Sequence, residues 1–127
     1  SIAKTRQSST PEIRTAIRKR MMEKGREDYE EFFSTLELDE GTTRQAVDVM
    51  LERDLKIMDA NEQLQETGFI KGGKQFGETL RIEKALAESQ LQSLLGTQDY
   101  EKLIAFEKDR QAQMMARAQK VISKMND

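Results

Sequence analysis

From Pro11 to the end of the chain, apolar residues recur every three or four positions, and only short interruptions break the pattern. That spacing lays one greasy stripe along a helix. No window shows sustained apolar–polar alternation, so no strand is expected. The first segment carries Ile13, Ile17, Met21, Tyr29, Phe32, Phe33 and Leu36. The second carries Val47, Met50, Leu51, Leu55, Ile57, Met58 and Leu64. The third has Leu80, Ile82, Leu86, Ala87, Leu91, Leu94 and Leu95. The fourth has Tyr100, Leu103, Ile104, Phe106, Met114, Ala118, Val121, Ile122 and Met125.

The punctuation places the ends. Thr10 is a good N-cap, and Pro11 suits the first helical position, where its missing N–H costs nothing. The first helix is expected over 11–34, with a bend possible in principle at Gly25. Asp39 caps a second helix that runs to about residue 66, where Gly68 serves as the C-terminal glycine. Residues 68–77 hold four glycines and read as a connector. The third helix then starts near Gly77 and stops at Gly96, and Thr97 caps the fourth. Residues 1–9 are polar and unpatterned and are expected to be disordered, leaving 10–127 as a single helical domain.

Helices of this length are marginal alone and need tertiary partners. Short connectors favour antiparallel hairpins. The expected fold is therefore all-α, with about four long helices in antiparallel hairpins. Met50, Ile57 and Leu64 are seven apart, as are Val47, Asp54 and Asn61. That register predicts coiled-coil-like packing with polar interruptions, within one chain or as an intertwined dimer. Arg44, Asp48, Glu52, Arg53, Lys56, Asp59 and Glu62 form the face expected to be solvated.

Composition narrows the chemistry. There is no Cys, no His and no Trp in the 127 residues, so thiolate catalysis, imidazole catalysis and zinc-finger ligation are excluded. Zero cysteine is tolerated in any compartment and is in keeping with an exported bacterial protein. No apolar run approaches the roughly 18 residues of a membrane span. No signal peptide is read within these residues, and a signal or a membrane anchor upstream of Ser1 stays open. With 23 acidic residues, neighbouring carboxylates such as Glu30/Glu31 and Asp39/Glu40 are expected by chance. A carboxylate-bridged di-metal bundle would need a Glu-x-x-His repeat, which a chain without histidine lacks. No enzymatic activity and no cofactor are expected.

GFIKGGKQ (68–75) is the nearest approach to a nucleotide motif. Gly68, Gly73 and Lys74 match a phosphate loop, but Gln75 stands where Ser or Thr would hold magnesium. A polar helical segment precedes it instead of a buried strand. The stretch is therefore read as a helix connector, with Phe69, Ile70 and Phe76 either tucked under the hairpin tip or presented as a contact patch.

Charge is uneven. Residues 1–26 carry a net +6 and the remaining residues −8. The segment 14–26, with Arg18 beside Met21 and Met22, could pair with acidic helix two, another subunit, an anionic membrane or nucleic acid. Nucleic acid is the less favoured partner. Methionine adapts to varied surfaces, which adds Met114 and Met115. The candidate partner-contact residues are thus Arg18, Met21, Met22, Met50, Ile57, Phe69, Ile70, Phe76, Met114 and Met115.

Two stretches carry a resemblance. LELDEGTTRQAVDVMLERD (36–54) is similar to the helix start of the LTxxQ periplasmic stress proteins, the group containing Spy and CpxP, and LLGTQDYEKLIAFEKDRQ (94–111) resembles the second copy of that motif. Asp39 stands in place of the motif's Thr, its Gln falls at Thr42, and Gly96-Thr97 replaces Leu-Thr. The resemblance implies a periplasmic or exported helical-hairpin protein, often a homodimer, that binds misfolded or partner proteins without chemistry. A structural homo-oligomeric scaffold or the sensor domain of a larger membrane protein is the alternative, and a cytoplasmic location the alternative compartment.

Overall fold

A computed structural model describes residues 10–126, and for 69–71 the backbone alone. The expected disorder of residues 1–9 lies outside the described residues. Among the described residues there are four helices: α1 (Pro11–Ser34), α2 (Glu40–Thr67), α3 (Phe69–Leu95) and α4 (Thr97–Asn126). No strand occurs among the described residues.

The helix ends follow from local chemistry. The Thr10 hydroxyl accepts from the Ile13 N–H at 3.3 Å with Pro11 behind it, and Asp39 Oδ1 accepts from the Thr42 N–H at 2.6 Å. Each satisfies one of the backbone donors a helix start leaves unpaired. That hydrogen bond from the Thr42 backbone also holds the Asp39 carboxyl below its ordinary range. α1 runs unbroken through Gly25, which is buried. A methyl group there would sit 3.6 Å from Leu51 Cδ2.

Two boundaries differ from expectation. α3 begins at Phe69, not near Gly77, so the glycine-rich stretch is helix. Gly68 makes the whole turn, at φ 85°, a region that favours glycine. Gly72 lets the two helices close on each other. A Cβ at Gly72 would lie 2.6 Å from Thr67 Oγ1 and 3.2 Å from Leu64 Cδ1. Close packing thus overrides the low helix propensity of glycine, about 1 kcal/mol per residue. Likewise Thr97 is the first residue of α4 and not its cap. Gly96, at φ 80°, ends α3 and offers the carbonyl that accepts the Tyr100 N–H at 3.0 Å.

Consecutive helices are antiparallel, and α2 with α3 is the most extensive pairing. Phe32 of α1 stacks on Phe106 of α4, with ring centroids 4.5 Å apart, and Asp28 pairs with Arg110. Numbers fall on α1 as they rise on α4, so these two also run antiparallel. The core lies at one end of the bundle, where all four helices meet. It holds Tyr29, Phe33, Val47, Met50, Leu91 and Leu103, with Leu36, Ala46, Leu51, Ala87 and Leu95 around them. Filling this end with large side chains is worth about 1.5–3 kcal/mol for each fully buried one.

The heptad register in α2 is used inside the chain. Met50 is wholly buried, while Ile57 and Leu64 are half-buried.

Candidate partner-binding cleft

Toward the other end the helices separate. α2 keeps α1 and α3 beside it, but every residue of α4 from Gln111 to Asn126 is exposed. This half stays helical because Ala, Gln, Met, Arg and Lys are strong helix formers, and propagation from a nucleated turn is easy. Its apolar residues face nothing: Met114 and Met115 are each 59% exposed and Met125 is 78%. Val121 and Ile122 are exposed too. On α1, Ile13, Ile17 and Met21 are exposed along one stripe at steps of four.

Met21 of the α1 stripe and Met114 of the α4 stripe line a common cleft of about 690 Å³. Arg20, Met21 and Lys24 line it from α1, and Gln113, Met114 and Arg117 from α4. Its floor is the Phe32–Phe106 stack and the Asp28–Arg110 ion pair, which is 3.2 Å long.

Behind the floor lies a polar cluster drawn from three helices. The Tyr29 hydroxyl, at the end of a side chain in a residue only 1% exposed, donates to Asp54 Oδ2 at 2.5 Å. It accepts from Arg110 Nη1 at 3.0 Å and from Arg53 Nη2 at 3.4 Å. Arg53 also bonds Asp54 at 3.0 Å and Glu107 of α4 at 2.7 Å. The Arg110 guanidinium lies over the Tyr29 ring, 4.9 Å from its centre, a favourable cation–π placement. Burial pushes the Tyr29 hydroxyl well above its ordinary pKa of 10.0, aided by the Asp54 charge and hydrogen bond and opposed by Arg53 and Arg110. Burial alone would lower the Arg53 value, but the bond and charge of Glu107, then Asp54, outweigh it and hold the guanidinium firmly charged. No buried side-chain polar atom lacks a partner among the described residues. These bonds join side chains of α1, α2 and α4, so the cluster clamps α4 onto α1 and α2 at the point where the cleft begins.

The sequence-nominated residues fall into separate places. Met21 and Met114 both line the cleft, and Met115 follows Met114 on the open half of α4. Met22 packs against the core. Met50 is a correction: the seam position fills the chain's own core, fully buried, and offers no surface to a partner. Ile57 is half-buried along α2. Phe76 is half-buried beside Ala60, Leu64 and Thr67. The side chains of Phe69 and Ile70 lie outside the described residues. Arg18 bonds Asp59 at 2.5 Å and Glu62 at 3.2 Å, so this part of the basic segment pairs with acidic α2.

Arg53 is a second correction. Its place in the sequence pattern predicts the solvated face of α2, yet its side chain is only 16% exposed, and Glu107 of α4 pairs with it. Tyr29, Glu107 and Arg110 went unremarked as site residues. The signal that could have found the cluster was Asp54, a carboxylate at a seam position, which requires a partner when buried.

A charge pattern also becomes legible only once α1 and α4 are seen together. Residues 10–26 carry six basic and two acidic side chains, and residues 108–126 carry five and one; between them, residues 27–107 carry eight and nineteen. Each arm of the cleft is therefore +4 and the body between them is −11.

Among the described residues, no group of three or more Asp and Glu side chains is arranged to hold a metal ion, and no helix is long and apolar enough to cross a membrane. The stretch that half-matches a phosphate loop is the first turns of α3, without a strand before it. No protein-family model matches the chain, and neither the curated proteins nor the solved structures hold a match to it.

Proposed function

We propose that this chain is a non-enzymatic protein-binding module, chaperone-like or regulatory, that receives the apolar face of another polypeptide in the cleft between α1 and α4. The observation that carries the reading is the exposed stripe Met114, Val121 and Met125 on α4, whose first member lines a cleft with Met21. Soluble proteins seldom leave contiguous apolar surface uncovered without an interaction to use it. Methionine suits such a surface, because its flexible thioether adapts to partners of different shape. The mutually satisfied polar cluster supports a structural role for its ionisable groups over a catalytic one. An exported, periplasmic setting goes with this reading through the resemblance at the two helix starts, with the cytoplasm as the alternative.

Light scattering of a chemically unfolded, reduced globular protein tests it. Wild type suppresses aggregation, and Met21→Asp/Met114→Asp loses that effect while the circular dichroism spectrum stays helical. No suppression by wild type, and no binding of unfolded client, would remove the reading.

A further inference from the structure

Taking the protein-binding reading as its basis, we propose that the cleft accepts an acidic amphipathic helix of about four turns from a partner protein. Four features of the cleft point to that occupant.

Charge comes first. The antiparallel packing of α1 on α4 sets two segments of net +4 side by side; Arg18 and Arg26 turn to α2, and Arg20, Lys24 and Arg117 line the cleft. Arg20 and Lys24 stand on one side and Arg117 on the other, beside Met21 and Met114, while Asp28, Glu31 and Asp109 line the cleft near the Phe32–Phe106 stack. Lys24 pairs with Asp28 at 3.2 Å, at the deep end. Toward the open end, Lys120 and Lys124 continue the basic series on α4 and no acidic residue follows Asp109 as far as Asn126. Complementary potential of this kind selects the partner and speeds its encounter.

Spacing comes second. Met114, Ala118, Val121 and Met125 recur at steps of four, three and four, the seam pattern that takes the knobs of a facing helix. Ile13, Ile17 and Met21 present the matching stripe on α1. Helix-in-groove recognition reads such anchors on the incoming helix at the same periodicity.

Length comes third. The uncovered part of α4 runs from Gln111 to Asn126, or about 24 Å at 1.5 Å per residue. A helix of about four turns covers it.

The fourth feature is shape and surroundings. A second copy pairing through the same cleft would bring its own arm, also +4, against these. An anionic bilayer is flat, whereas Met21 and Met114 line two walls of a concave space.

The test uses fluorescence anisotropy with three labelled synthetic peptides of about 16 residues. One has Leu and Met at seam positions and Glu elsewhere. The second replaces each Glu with Lys, and the third scrambles the first. The Glu peptide should bind about tenfold more tightly than the Lys peptide at low salt, with the gap closing as salt rises. Arg20→Glu/Lys24→Glu/Arg117→Glu should reverse that order, and Arg117→Glu alone, on the unpartnered half of α4, should narrow it. Equal binding of the Glu and Lys peptides would overturn the acidic-helix proposal and leave the protein-binding reading standing. So would preference for the scrambled peptide. Binding to phosphatidylglycerol vesicles and not to peptides would reassign the cleft to a membrane, and dimerisation in light scattering without peptide binding would reassign it to a second copy. If no peptide binds and Met21→Asp/Met114→Asp leaves aggregation suppression intact, both readings fall together.

Discussion

One end of the bundle has four helices around Phe33, Met50, Leu91 and Leu103, and the other has the first turns of α1 and the last turns of α4 standing apart. The same two helices build both. At the closed end their stripes meet other stripes; at the open end they meet solvent. Stability is therefore concentrated where the layers coincide, and binding capacity where they do not, since an apolar face cannot serve both purposes at once. The polar cluster of Tyr29, Arg53, Asp54, Glu107 and Arg110 marks the border between the two regimes.

Amide hydrogen exchange should show the widest contrast. Amides of Ala46–Leu51 should open only with global unfolding, and those of Met114–Lys124 by local fraying, so their exchange should differ by orders of magnitude. Equal protection would erase the distinction between the ends. Denaturant unfolding gives the next contrast. Phe33→Ala or Leu103→Ala should cost about 3–4 kcal/mol through loss of burial and the cavity left behind. Val121→Ala should stay within about 0.5 kcal/mol. A comparable loss at both would mean that α4 is packed along its whole length.

The border cluster sharpens the comparison through pH. Tyr29→Phe removes a hydroxyl whose partners are then left short of a bond, at a cost of about 1–2 kcal/mol. Because the folded tyrosine has the raised pKa, its contribution is complete below the ordinary value of 10.0 and is lost as pH rises from there toward the folded value. Wild type should therefore lose melting temperature above that point more steeply than Tyr29→Phe. Parallel curves would show that the phenol titrates alike in both states.

Two glycines of α3 give the smallest effects, with opposite signs. Gly77 has open space around it, so Gly77→Ala should stabilise by about 0.5–1 kcal/mol, measured by chemical denaturation. Gly72→Ala meets Thr67 and Leu64, and the clash should cancel that gain or exceed it. A gain at Gly72 equal to that at Gly77 would show that the α2–α3 approach yields without cost.

Much of the architecture was legible in the residues themselves. The all-α fold follows from apolar spacing, and the starts of α1 and α2 from Thr10-Pro11 and Asp39, because caps act over only three residues. The sequence missed the helical start of α3. Local propensity reads four glycines as a connector, whereas the decisive fact is how near Leu64 and Thr67 come to Gly72. Arg53 looked solvated because nothing local reveals that Glu107 lies over it. Half of the cleft could be seen, in the basic segment 14–26 and the paired methionines at 21/22 and 114/115.

Short-range physics set the four helices, their stripes and most of their ends, since periodicity and capping need only neighbouring residues. Tertiary packing alone decided that Met50 is sealed in, that Arg53 is clamped, and that two basic arms from opposite ends of the chain open onto one cleft. Those outcomes depend on which stripe meets which across dozens of residues of intervening chain, and a pattern confined to one helix holds no record of its neighbour.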